Sequence, residues 1–274
     1  MKRALIAVML LLCLSPAQGF NLGKELQKQL GGDKQKQEGG LAIGGYSEQD
    51  EIAIGRQIAG NILGASPLVK DATLQQYVNR VGRWVASQSE RPDLPWHFGV
   101  IESNDINAFA APGGFVFVTR GLYRSLSSES ELAGVLGHEI GHVIRKHHLK
   151  ILQQSQLLDL GGKLLSKQLG HDEGVQKLIG SGAEIAARSL DKSAEFEADR
   201  IAVVLAARAG YDPFGLPSVL QDIAHVAKNE NSVALLFKTH PHPDERLDQL
   251  GQAIGERFDA LQGKGVEQRF YRVR

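Results

Sequence analysis

Apolar and polar positions follow two periods along this chain, and each switch between them marks a boundary. After Ser47, with Asp50 three residues on in a capping-box-like start, Ile52, Ile58, Ile62 and Leu63 recur at helical spacing. A second helix is predicted from about Asp71 to Ser87, with Leu74, Tyr77, Val78, Val81, Trp84 and Val85 on one face. Pro92 and Pro95 close that region. Short extended runs follow at 96–101, 107–111 and 115–119, the last two separated by the turn Pro112-Gly113-Gly114. Ser128 or Ser130 can cap the next helix, which carries Leu132, Val135, Leu136, Ile140 and Val143. From about 152 to 260 the pattern is helical, broken at Gly161-Gly162, at Gly170, at 210–213 and at 240–243. A short strand from Val266 to Val273 closes the reading.

The N-terminus is different material. Lys2 and Arg3 precede an apolar run from Ala4 to Leu14, then Ser15, Pro16 and the small residues Ala17 and Gly19. That order predicts a secretory signal peptide cut after Gly19, too short to span a bilayer. Residues 20–45 form a glycine-bracketed polar lead, and 46–274 a single domain. The lone cysteine, Cys13, falls inside the signal, so stability after export rests on core and metal rather than disulfides. Leu12 just before Cys13 argues against lipid attachment there. The chain carries 31 basic and 31 acidic residues, and removing Lys2 and Arg3 leaves the mature form two charges negative. Nothing in that balance suggests a nucleic-acid partner.

His138-Glu139-Ile140-Gly141-His142 is an H-E-x-x-H motif within a helical pattern. Residues four apart share a helix face, so both imidazoles can reach one ion, while Glu139 projects beside it. Apolar residues on both sides predict burial, and buried imidazoles and carboxylates need partners, which a metal supplies. Two surface histidines on a helix are the bland alternative.

Catalytic zinc takes three protein ligands and leaves a fourth position for water. His148 stands where metzincins place a third histidine, but Arg145 occupies their required glycine position. His147 and His148 are therefore expected as solvated helix-end residues. The better third ligand is Glu195, which shares a helix face with Asp199 four residues on; Asp199 can orient a ligand imidazole. Glu197 lies on the opposite side of that helix. A solvated acidic face paired with Arg188, Lys192 and Arg200 is the competing interpretation.

These motifs, with His240-Pro241, Arg246 and the run from Asn107 through Leu122, resemble the gluzincin zinc metallopeptidases that include the CAAX endoprotease and the heat-shock protease HtpX. The likeness covers about 46–255 and points to the soluble periplasmic branch, without the tetratricopeptide array. It implies an α+β fold: a mainly helical, zincin-like metallopeptidase with a small β-sheet packed beside the H-E-x-x-H helix. It also implies one zinc ion on His138, His142 and Glu195, Glu139 as general base, Asp199 behind a ligand, and His240 and Arg246 near the site. In envelope members that histidine can regulate the metal.

The expected reaction is attack of metal-activated water on a peptide carbonyl. Glu139 takes the proton and returns it to the leaving amine, with His240 or Arg246 as second donor to the oxyanion. Substrates are expected to be unfolded envelope polypeptides, held by strand addition along Phe115, Val116, Phe117 and Val118. A core strand with no free edge is the alternative for that segment. A zinc-bound chaperone with little proteolysis, or a metal-free structural domain, are the rival functions.

Overall fold

A computed structural model describes residues 46–154, 191–226, 231–233, 236, 240–255, 257 and 263–272. The expected signal, the lead at 20–45, the breaks at 161–162 and 170, and Arg188 lie outside the described residues. Helix α1 (Glu48–Ala65) opens on a full capping box, Ser47 accepting from the Asp50 amide and Asp50 from that of Ser47. Helix α2 (Ala72–Ala86) is capped by Asp71, which accepts from the Leu74 amide. Its buried stripe is the predicted one except for Trp84. That residue sits at the edge of the stripe, is 52% exposed, and donates its indole N–H to the Ala209 carbonyl.

Strands β1 (His97–Ile101), β2 (Ala108–Ala111) and β3 (Phe115–Thr119) form one sheet in the order β1-β3-β2. β1 runs parallel to β3, and β2 antiparallel to it. The expectation that substrate adds along Phe115, Val116, Phe117 and Val118 is thereby corrected. β3 is the central strand, and both of its edges are already paired. The outer edge of β1 is also covered, by the Val69 amide on Val100 and by Gln75, whose side chain bonds both the amide and the carbonyl of Val100. β2 is the sheet's other edge strand among the described residues, and Ala108, Ala110 and Ala111 on it are buried.

A short helix α3 (Arg120–Ser125) follows β3 and leads to helix α4 (Glu129–Ile144), capped by Ser128 rather than Ser130. Every residue from Glu129 to Val143 is buried. Leu132, Leu136 and Ile140, all at 0% exposure, contribute about 2 kcal/mol each by leaving water. Helix α5 (Lys192–Arg208), capped by Asp191, packs along α4, as do α6 (Gly215–His225) and, through α5 and α6, α7 (Pro243–Ile254). Two glycines of α4 permit the α4–α5 approach. A Cβ at Gly137 would stand 3.1 Å from the Ala202 Cα, and one at Gly141 3.1 Å from the Ala198 Cα. Ala198 and Ala202 share a face with Glu195 and Asp199, so the same close contact carries both carboxylates up to the histidines.

The C-terminal segment is not the expected strand. Val266 takes a left-handed turn and Glu267–Arg269 form a 3-10 turn. Phe270 is thereby dropped into the core, stacked 5.1 Å from Tyr123. Burying Phe270 this way leaves Tyr271 to accept from the Tyr123 hydroxyl through its carbonyl, rather than pairing along a ladder.

Candidate metal centre

His138 and His142 stand one turn apart on α4, and their Nε2 atoms are 3.0 Å from each other. Glu195, from the first turn of α5, reaches them with both oxygens. Oε1 is 3.5 Å from His142 Nε2 and Oε2 is 3.6 Å from His138 Nε2. His240, just before α7, brings Nδ1 to 2.7 Å from Glu195 Oε2. All four groups offer atoms within 4.8 Å of one another.

The outer nitrogens set the inner ones. His138 Nδ1 lies 2.8 Å from Asp199 Oδ1, so its N–H donates there and its Nε2 lone pair faces inward. Arg246 holds Asp199 by two bonds, Nε to Oδ2 at 2.9 Å and Nη2 to Oδ1 at 2.6 Å. Burial alone would raise the Asp199 pKa, but Arg246 and His138 bring it down to about 2. His142 Nδ1 lies 2.9 Å from His147 Nδ1, and His147 Nε2 lies 3.3 Å from Glu197 Oε2. Arg145 Nε holds the other oxygen of Glu197 at 2.9 Å.

The donor set fits zinc. Two imidazole nitrogens at 3.0 Å, with no proton between them, repel unless a cation joins them. Glu195 Oε1 is buried and has no hydrogen-bond partner, a position costly for a carboxylate without a positive neighbour. Tetrahedral zinc with bonds near 2.1 Å would set its ligand atoms roughly 3.4 Å apart. The observed separations, 3.0 to 3.6 Å, bracket that value. Burial and Arg246 oppose protonation of His138, but Asp199 and Glu195 outweigh them and raise its pKa to about 9. Burial holds His142 well below its usual range, and the surrounding histidines outweigh burial to hold Glu195 well below its own.

Glu139, 2% exposed, lines a cavity of about 30 Å³ with His138, His240, Arg246 and Ala108 of the edge strand β2. That space is sufficient for a water molecule. Burial raises the Glu139 pKa. A larger cavity, about 860 Å³, lies elsewhere. Its one buried acid, Glu129, is already taken by the hydroxyls of Tyr77 and Tyr211 and by Arg269.

The structure thus gathers His138, Glu139, His142, Glu195, Asp199, His240 and Arg246 at one place. His147 and His148 correct the expectation of solvated residues, being 4% and 8% exposed. Helix α4 ends at Ile144, and Lys146 adopts φ 56°, turning the chain back onto its own last helical turn. The positive-φ residue is a lysine, so no glycine in the sequence signalled the reversal.

Two histidines and a glutamate on one helix, facing a carboxylate from a second, define a zincin-like site on a mainly helical α+β fold. The chain belongs to Peptidase family M48, which matches residues 72–254. It is similar to the beta-barrel assembly-enhancing protease of Yersinia pestis, 33% identical over 209 residues, 73% of this chain and 43% of that protein. The protein of the same name in Escherichia coli (strain K12) is 32% identical over 205 residues, 72% of this chain and 42% of the relative. The mitochondrial metalloendopeptidase OMA1 of Schizosaccharomyces pombe is 30% identical over 187 residues, 66% of this chain and 53% of that protein. The chain spans about half the length, or less, of these relatives. No helix among the described residues is long and apolar enough to cross a membrane.

Proposed function

We propose that this chain is a zinc-dependent endopeptidase of the bacterial cell envelope, acting on unfolded or misassembled polypeptides. The observation that carries the reading is the convergence of His138, His142 and Glu195 at 3.0 to 3.6 Å, with Glu139 beside them. His138, His142 and Glu195 would hold the ion. Bound there, zinc would supply a Lewis acid and a water of lowered pKa. Glu139, its own pKa raised by burial, suits taking that proton and passing it to the leaving amine. Asp199 keeps His138 in the ligating tautomer, and Arg246 fixes Asp199. His240 and Arg246 line the cavity from which an oxyanion donor would act.

The reading puts substrate beside β2 rather than β3, and it is supported by Ala108 of that buried edge strand, which lines the same cavity as Glu139. Export to the periplasm is supported by the signal pattern of residues 1–19 and agrees with bacterial relatives named for beta-barrel assembly. The test is zinc content together with casein digestion, wild type beside Glu139→Gln. Zinc near one per chain in both proteins, with digestion lost by about 10²-fold or more only in the variant, is expected. Full digestion by Glu139→Gln would remove Glu139 from the mechanism.

A second reading is favoured by one contact. His240 sits 2.7 Å from Glu195 and belongs to the ligand cluster, where it could fill the position a water needs. In that state the protein would be a zinc-bound chaperone or assembly factor with latent proteolysis.

A further inference from the structure

We propose that His147 is a positioning residue of the metal centre. It holds the ring of His142 in the tautomer and rotation that present Nε2 to the ion, and Glu197 holds His147 in turn. The inference rests on the reading of His142 as a metal ligand.

The geometry leaves one consistent assignment of protons. His142 must keep Nε2 unprotonated to ligate, so Nδ1 carries its hydrogen. That N–H has one acceptor at 2.9 Å, His147 Nδ1. His147 then carries its own hydrogen on Nε2, which points to Glu197 Oε2 at 3.3 Å. Arg145 Nε steadies the far oxygen of Glu197 at 2.9 Å. Donors and acceptors therefore alternate without conflict from Arg145 to the inner nitrogen of His142. Both rings are nearly sealed from solvent, at 1% and 4% exposure, so no water replaces the bond.

The two ligand histidines are supported in parallel ways. His138 donates to Asp199, which Arg246 clamps; His142 donates to His147, which Glu197 and Arg145 clamp. Packing alone would seat an imidazole at position 147 without aiming Nδ1 at Nδ1. The backbone also commits to this placement, since Lys146 holds a left-handed conformation that a lysine rarely adopts. Partners behind a ligand imidazole are worth 10- to 100-fold in metal affinity.

The experiment uses the full chain, stripped with a chelator and titrated with zinc against a chromophoric competitor. Wild type, His147→Leu and His147→Gln are compared, and the visible spectrum of each cobalt-loaded form is recorded. His147→Leu is expected to bind zinc about 10- to 100-fold more weakly, with a shifted cobalt spectrum. His147→Gln, which can still accept from His142 and donate to Glu197, is expected within about threefold of wild type, a rescue that bulk alone would not give. Equal affinity and an unchanged spectrum in His147→Leu would overturn the proposal, as would a glutamine variant as weak as leucine. Should the leucine variant fail to fold, Glu197→Ala decides, its residue being partly exposed on α5. At least about threefold weaker zinc is expected there, and wild-type affinity would overturn the proposal. Wild type that binds no zinc would bring down the metal-site reading and this inference together. Tight wild-type binding with indifferent variants would bring down this inference alone.

Discussion

His240 stands where two functions compete. Its Nδ1 touches Glu195, which both the peptidase reading and the latent reading need as a ligand. As a fourth ligand, the ring would exclude the water that Glu139 must deprotonate. As an oxyanion donor, it would be needed only after that water attacks. The two roles give opposite signs on removal. His240 lies just ahead of α7, and its amide donates to the carbonyl of Leu236 at 2.8 Å, the i to i−4 spacing of a helical turn. His240→Ala is expected to raise casein digestion several-fold while zinc stays bound, since removing a competing ligand frees the water site. A loss of digestion of about 10²-fold with zinc retained would instead mark His240 as an oxyanion donor and remove the latent reading. Digestion rates and zinc content of the two proteins, measured together, separate these outcomes.

At the scale of elements, the proposed seat for a peptide is the edge strand β2. The Thr119 amide bonds the Asn107 carbonyl, and register then alternates along β2, so Ala108 and Ala110 turn their backbone groups away from β3. The Ala108 amide is taken by the Asn107 side chain, so the groups turned to the outer edge are the Ala108 carbonyl and the amide and carbonyl of Ala110. A substrate strand would gain its bonds at every second residue. N-methylation along a bound peptide is thus expected to cost affinity with period two, about 1 kcal/mol or roughly fivefold at each sensitive position. Uniform tolerance in an inhibition assay would exclude pairing on β2. The sheet also shows where sequence reading stops. Its three strands were legible from local pattern, and so were the cap at Ser47 and the helix start near Asp71. Their order was not, because pairing partners are chosen by tertiary packing that no local period records. The site divides the same way. His138, His142, Glu195 and Asp199 were legible because i,i+4 spacing on a helix is itself geometry. His147 was not, because its place depends on a reversal at Lys146 that follows no period.

Across the whole molecule, one buried carboxylate joins parts that are remote in sequence. Glu51 of α1, at 0% exposure, lies outside the span matched by the family. It accepts from Arg91 Nη1 at 2.8 Å, ahead of β1, and from the Gly113 amide at 3.2 Å, in the β2–β3 turn. Lys146, just past α4, approaches it to 3.2 Å. Together these tie α1 to the β2–β3 hairpin and to the end of the helix bearing the histidines. Burial would raise the Glu51 pKa, yet Arg91, the Gly113 amide and Lys146 outweigh it and hold the pKa below 4.5. A depressed carboxylate stabilises the fold above its unfolded pKa, and that contribution is lost as pH falls through the folded value. The window therefore opens below about pH 4.5 and leaves neutral pH untouched. Glu51→Gln removes the charge at every pH and leaves Arg91 with Glu48 as its remaining carboxylate partner. It is expected to cost about 2 kcal/mol at pH 7, less than the usual 3–5 for an orphaned buried partner because Glu48 remains. At pH 3.5 the gap between variant and wild type should narrow, because the unfolded wild-type chain then takes up a proton at Glu51 that the folded state resists. Urea unfolding of both proteins at the two pH values, with chelator present to keep metal out of the balance, measures the two gaps. Equal gaps would mean that Glu51 contributes shape rather than charge, and that α1 is held to the hairpin by the packing of Ile58, Ile62 and Phe117 instead.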